Sequence, residues 1–162
     1  MRPFVTTDDV LTHMNEAHPS VPLADFSETQ KGQPCLLHEG HVYRYHREGK
    51  NNTHSWRCSL RHCCSIARTR GATRLDVTSV VISVSEHNHP GRSDVEMRLF
   101  CAIARMRKLA DQSRLPSLEV RQKIFATLDP EVAAIFPSPK NVVQLLGHRR
   151  RKNAKAAKQC AS

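Results

Sequence analysis

Cys58, the adjacent pair Cys63 and Cys64, and the triplet His87-Asn88-His89 follow one another within a single segment. The spacing reads C-x4-C-x23-H-x-H through Cys63, or C-x5-C-x22-H-x-H through Cys64. Two thiolates and two imidazoles suit tetrahedral Zn2+, with bonds of about 2.3 Å to sulfur and 2.0–2.1 Å to nitrogen. A short cysteine spacing fits a hairpin, which brings both sulfurs to one end of a sheet. An H-x-H on an extended chain aims both imidazoles at one face, so one strand can supply two ligands. The ion implied is therefore a structural Zn2+ held by Cys58, Cys63 or Cys64, His87 and His89. A β unit of about 60 residues buries too little surface to be secure alone. Zinc can add about 10–16 kcal/mol of apparent binding free energy to such a fold. His38, His41, His46, His54, His62 and His148 show no such arrangement and read as surface or turn residues. Cys35, Cys101 and Cys160 have no partner in the sequence.

The elements that position these groups fall into two regimes. From Phe26 to about Pro90 the pattern is short and punctuated. "HVYRYH" alternates, the turn-rich "REGKNNTH" leads to "SWRCSL", a third strand begins at the cysteine pair, and "LDVTSVVISVSEHNH" is β-branched. This predicts a small antiparallel sheet of three to five strands. Asp94 opens a helical regime in which Leu99, Ile103, Met106 and Ala110 recur at helical spacing over 94–113. Ser117 is positioned to cap a second helix, and "LDPEV" and "PSPKN" repeat the start signal of a capping residue followed by proline. The expected architecture is α+β: a zinc-binding β domain over 26–92, a segment of three to four helices over 93–150, and a basic tail over 151–162. Residues 1–25 read as a flexible arm with one weak helix signal, Thr7 capping "DDVLTHMNEAH".

Composition bounds the partners. The chain has 162 residues, 39% hydrophobic, and a formal net charge of +10 with a pI near 9.8. No apolar run approaches the roughly 20 residues of a membrane span, and the start lacks the apolar core of a secretory signal. The expected setting is intracellular, with reduced thiols, so six cysteines read as a metal site plus spare thiols. The charge asks for a polyanion, nucleic acid first and an anionic membrane surface second.

At these residues the sequence resembles a known family. The order Phe26, Leu36, Tyr43, Trp56, Cys58, His87/His89 follows the signature of the FLYWCH zinc finger, and "SWRC" and "HNHP" are its most specific pieces. The resemblance covers about residues 26–90. FLYWCH domains are similar to the WRKY and GCM zinc domains, which implies an antiparallel sheet with zinc at one end, used to bind double-stranded DNA. In WRKY-type sheets an edge strand enters the major groove, which implies Arg44 or Arg47 as base readers here. The stretch "LDPEVAAIFPSPKNVVQLLGHRRRK" looks like the region after the FLYWCH domain in Mutator-like transposases and proteins derived from them.

The family's second cysteine, counted back from Ala67 and Thr69-Arg70-Gly71, falls on Cys63, whereas the family's longer loop would prefer Cys64. Side-chain parity is an independent test. With Cys63 inward, Ser65 and Ala67 follow it and Arg68 and Arg70 face solvent; with Cys64 inward, both arginines enter a small core without an evident partner. Parity favours Cys63, unless a bulge between Cys64 and Arg68 reverses it. It also exposes a conflict: His87 and His89 share a face with Val81, Ser83 and Ser85, while Val80, Ile82 and Val84 lie opposite. Either a bulge near Ser85 corrects the register, or the apolar side packs against something else, such as the helices.

With Tyr43, Tyr45, Trp56, Cys58 and Cys63 inward, the outward set includes Arg44, Arg57, Arg61, Arg68 and Arg70, a basic face suited to phosphate. The run "HRRRKNAKAAK", with Arg149, Arg150, Arg151 and Lys152, reads as a nuclear-import signal or a basic helix adding phosphate affinity. The leading expectation is a non-enzymatic, zinc-dependent DNA-binding protein of the nucleus, a transcription regulator or a transposon-derived factor. Its helices would serve self-association or a protein partner. The rivals are a zinc-stabilised protein-interaction module and a non-catalytic fragment of a Mutator-like transposase, whose chemistry would need clustered carboxylates for divalent metals.

Overall fold

The structure, a computed structural model, describes residues 24–160. The expected Thr7-capped helix lies outside the described residues. Six strands run β1 Asp25–Glu28, β2 Pro34–His38, β3 His41–Glu48, β4 Thr53–Cys58, β5 Ile66–Arg70 and β6 Val80–Val84. Each pairs with the next, so the sheet is an antiparallel meander in sequence order. Four helices follow: α1 Asp94–Gln112, α2 Ser117–Phe125, α3 Pro130–Ile135 and α4 Pro139–Cys160. The α+β class holds, with one strand more than the upper expectation. Two short strands, β1 and β2, precede the alternating segment. The cysteine pair sits in the β4–β5 connection, and β5 begins only at Ile66. In "LDVTSVVISVSEHNH" only Val80–Val84 is strand. The part before it is held as a turn by Asp76, whose carboxylate accepts from the backbone N–H of Ala72 and Thr78.

Tight turns set the hairpins. Glu39 (φ 47°) and Gly40 (φ 77°) join β2 to β3, and Asn51 (φ 55°) and Asn52 (φ 54°) lie between β3 and β4. Paired left-handed residues match the right-handed twist of flanking strands, and glycine and asparagine tolerate that region best. A Cβ on Gly40 would also meet the carbonyl oxygen of Arg92 at 2.5 Å.

Alternation then sorts the side chains. The inner face collects Leu36, Tyr43, Trp56, Cys58, Ala67 and Val81 into one buried cluster, joined by Ala24, so the sheet domain starts before the expected boundary at Phe26. Trp56 is fully buried and donates its indole N–H to the Thr69 hydroxyl at 3.0 Å, which satisfies both polar groups inside the core. His54, expected at the surface, is also buried on this face, with Nε2 3.3 Å from the Gly71 carbonyl. On the opposite face, Cys35, Leu37 and Val42 are covered by Met97, Phe100 and Cys101 of α1. The helices share a second core, built on Met106, Val120, Val142 and Leu146.

The sheet carries two register shifts. Between β3 and β4, Tyr45 pairs with Trp56 but Arg47 pairs with Ser55, which leaves His46 as the extra residue. Between β5 and β6, Arg68 pairs with Ser83 but Thr69 pairs with Val81, which leaves Ile82 extra. Each is a one-residue bulge and reverses the alternation beyond it. The second sets both Val81 and Val84 opposite inward residues, Thr69 and Ala67, but it does not bring the histidines into register: β6 ends at Val84, and His87 and His89 are placed by the loop beyond it. Ile82 (40% exposed) and Val84 (37%) are left largely open to solvent.

Caps fix the helices. Ser93 and Glu96 form a reciprocal capping box at α1, and Asp129 accepts from the Val132 N–H ahead of Pro130 at α3. Ser117 is the first residue of α2 rather than its cap; Pro116 takes that place and makes no side-chain cap. α4 runs unbroken through the basic run to Cys160, so the expected tail is the last part of a 22-residue helix.

Candidate metal centre and basic face

Cys58 ends β4, Cys63 lies in the following turn, and His87 and His89 stand just beyond β6, so three chain segments converge at one end of the sheet. The Cys63 turn is closed by its own N–H donating to the Leu60 carbonyl at 3.1 Å. The histidine loop is tied to it by Asn88 Nδ2, which donates to the His62 carbonyl at 2.9 Å. Cys58 Sγ lies 3.3 Å from His89 Nε2, Cys63 Sγ 3.3 Å from His87 Nδ1, and the two ring nitrogens 3.1 Å apart. One donor atom from each of the four residues falls within 4.8 Å of every other. Ligands of a tetrahedral zinc stand about 3.3–3.8 Å apart, so shifts of about an ångström or less complete the geometry. Cys64 is exposed and outside this group. Cys63, Ser65 and Ala67 lie on the inner side while Arg68 and Arg70 face solvent.

The surrounding shell fits a metal. His87 presents Nδ1 to the cluster and turns Nε2 away, 2.6 Å from the Tyr43 hydroxyl and 3.1 Å from Ser65 Oγ. Ser65 in turn donates to the Ser85 carbonyl at 2.6 Å. His89 presents Nε2 and holds Nδ1 2.9 Å from the Pro90 carbonyl. An imidazole whose second nitrogen is so engaged is fixed in tautomer and orientation for ligation. Burial, reinforced by the neighbouring His41 and His89, holds His87 below the usual imidazole range, in the neutral form a metal needs. Burial pushes the Cys58 thiol up. At Cys63 burial acts the same way, but the backbone N–H groups of Ser65 and Asn88 outweigh it and favour the thiolate. All six cysteines carry free thiols. The cluster can bind a metal ion, and its two-sulfur, two-nitrogen donor set is that of a structural Zn2+ site.

His41 was legible only as a surface histidine, yet its ring stacks on His87 with centroids 3.5 Å apart and planes within 4°. It also meets His89 edge-on, with centroids 4.9 Å apart, and so packs against both imidazoles of the site. The β2–β3 hairpin brings it there across 46 residues of sequence, and no spacing rule carries that signal.

The basic residues divide. Arg44, Arg47, Arg57, Arg61, Arg68 and Arg70 are all exposed. None of the ion pairs among the described residues involves them. Arg44 stands directly opposite Arg57, and Ser55 pairs with Arg47 on one side and Arg68 on the other. Strict alternation would have put Arg47 inward with Tyr45; the bulge at His46 returns it to the arginine face. The expected edge-strand role of Arg44 and Arg47 needs correction, because β3 is an interior strand and the sheet edges are β1 and β6. β2 pairs only as far as Arg44, however, so beyond it Arg47 sits on a locally open side of β3. Arg61 lies in the cysteine turn and borders, with Arg44 and Arg57, a shallow groove of about 820 Å³.

Two members of the expected basic tail are structural. Arg149 pairs with Asp111 of α1, its Nε 2.9 Å from both carboxylate oxygens, and donates to the Gln30 carbonyl at 3.1 Å. Arg150 donates to the Leu115 carbonyl at 2.5 Å. Arg151 and Lys152 are exposed. No helix among the described residues is long and apolar enough to cross a membrane.

Residues 26–89 match the FLYWCH zinc finger domain, a span that begins in β1 and ends on the last histidine of the cluster. The match stops before the helices, so the expected likeness of that segment to Mutator-like transposases is not shown. No curated protein and no solved structure matches the chain.

Proposed function

We propose that this chain is a non-enzymatic, zinc-stabilised protein of the nucleus that binds double-stranded DNA through the arginine face of its sheet, as a transcription regulator or a transposon-derived factor. Zinc has a structural part: it ties the β4–β5 turn to the loop after β6 and so fixes the strands that carry the arginines. The observation that carries the reading is the arginine face itself, which enters none of the ion pairs among the described residues. Arg44 and Arg57 are directly cross-strand, an arrangement of like charges that costs stability unless an anion lies over it. Arg47 and Arg68 flank Ser55 in the next row. Neighbouring strands stand about 4.8 Å apart, so the charges form a grid on the scale of a phosphate backbone. The open side of β3 offers Arg47 to a groove, where arginine pairs bidentately with guanine.

The test is duplex binding at several salt concentrations with the zinc-loaded chain. Contact by four or five arginines predicts a log–log slope of about −4 to −5. Arg57→Ala and Arg68→Ala should each make it shallower by about 0.9. A chain that takes up zinc and folds but shows no salt-dependent duplex affinity would instead be a protein-interaction module. Selection from a random duplex pool then separates base reading from phosphate contact alone.

A further inference from the structure

A second basic site lies away from the sheet face. A cleft of about 410 Å³ opens where the β1–β2 loop meets α1 and α4, bordered by Gln30, Lys31, Arg107, His148, Arg149 and Lys152. Its walls are fixed. Arg149 bridges Asp111 and the Gln30 carbonyl, and Asn153 donates to the same Asp111 at 3.2 Å. Asp111 is thereby committed to Arg149. The remaining cations, Lys31, Arg107 and Lys152, enter none of the ion pairs among the described residues. Arg107 is the informative one, since it is half-buried rather than free in solvent. Burial, and then the charge of Arg149, push its guanidinium down, as for a cation held in place without a counter-ion. Glu28 also acts on Arg149, but it does not border the cleft.

The cleft is continuous with the arginine face. Gln30 and Lys31 border a second groove on their other side, shared with Arg44 and Tyr45. Positive charge therefore runs from Arg57 and Arg44, across Lys31, to Arg107 and Lys152. We infer that this cleft seats a backbone phosphate of the same duplex that lies on the sheet face, with Arg107 at its floor and Lys31 and Lys152 at its rims. The helical segment then acts as a second clamp on the nucleic acid. This inference rests on the duplex-binding reading above. Arginine forks bind phosphate bidentately and a flanking lysine adds a point charge, so the site suits an anionic oxygen cluster rather than an apolar group.

The test uses the full zinc-loaded chain and duplex DNA, comparing Lys31→Ala, Lys152→Ala, Arg107→Gln and Arg107→Lys with the sheet-face variant Arg68→Ala. Loss of the seated phosphate should make the salt slope shallower by about 0.9 in the Ala and Gln variants, with less loss in Arg107→Lys. Lys31 and Lys152 are exposed, so their variants should keep the parent melting temperature and decide the matter if Arg107→Gln disturbs α1. Parent slopes in both lysine variants, alongside a shallower slope in Arg68→Ala, overturn the cleft and leave the sheet-face reading standing. Absence of salt-dependent duplex binding by the parent chain overturns both.

Discussion

Tyr43→Phe isolates the shell around the metal from the metal ligands themselves. The side chain is fully buried, so the substitution leaves the volume filled and creates no cavity. What it removes is the hydroxyl 2.6 Å from His87 Nε2. If Nδ1 is the metal-facing nitrogen, Nε2 carries the proton and loses its shorter partner. Ser65 Oγ remains at 3.1 Å as a second acceptor, which cushions the loss. Removal of an outer-shell partner weakens metal binding by about 10–100-fold, and the surviving contact puts Tyr43→Phe at the low end, near tenfold. The pair Tyr43→Phe/Ser65→Ala leaves Nε2 with neither partner and should approach a hundredfold. At saturating zinc these losses lower folding stability by about 1.4 and 2.7 kcal/mol. Zinc transfer to a chromophoric chelator gives the affinity, and thermal unfolding at fixed free zinc gives the stability. Parent affinity in the double variant would refute the assignment, because it would mean that His87 either turns Nε2 to the metal or does not bind it.

Two further outcomes follow from the same geometry. Cys64 and Cys160 are exposed and should react rapidly with a thiol reagent in the zinc-loaded chain, whereas Cys35, buried and with its thiol pushed up to about 12 by that burial, should stay silent. Chelation should release Cys58 and Cys63 to the reagent, and mass mapping that finds Cys64 protected in their place would contradict the cluster. Arg149→Ala removes the Asp111 pair and the Gln30 contact, which at 18% side-chain exposure costs about 1–2 kcal/mol. The expected drop in melting temperature is about 2–8 °C, and an unchanged value would mean that the β1–β2 loop and α4 are not stapled together.

The sequence carried the parts of this fold that rest on period and residue type. Leu99, Ile103, Met106 and Ala110 predict α1 because a 3.6-residue period is a long-range pattern, and the cap-then-proline starts of α3 (Asp129-Pro130) and α4 (Ser138-Pro139) are local chemistry. The donor types and the H-x-H spacing announced a metal for the same reason. What stayed hidden depends on single residues or on neighbours distant in sequence. Arg149 is indistinguishable from Arg151 within "HRRRK" until α1 brings Asp111 beside it. His41 becomes part of the metal site only because a two-residue turn doubles the chain back.

The bulge at His46 is the sharpest case, because an alternating string does not reveal that one of its residues is extra. It can be tested by deletion. In a regular strand with Tyr45 inward, Arg47 would lie inward and Glu48 outward, and removing His46 would exchange their faces. In the bulged register the opposite holds: Tyr45 already pairs with Trp56 and Arg47 with Ser55, so excision of His46 leaves both pairs on their present faces and only straightens the ladder. The deletion variant should fold, keep its zinc and melt within about 4 °C of the parent, a change of about 1 kcal/mol. Under the proposed function it should also keep most of its duplex affinity, since Arg44, Arg47 and Arg57 remain on one side. The substitution His46→Ala, which keeps the extra residue, serves as the matched control. A deletion variant that fails to fold while His46→Ala is unaffected would show that β3 is regular with Arg47 inward, and the arginine face would lose one of its members.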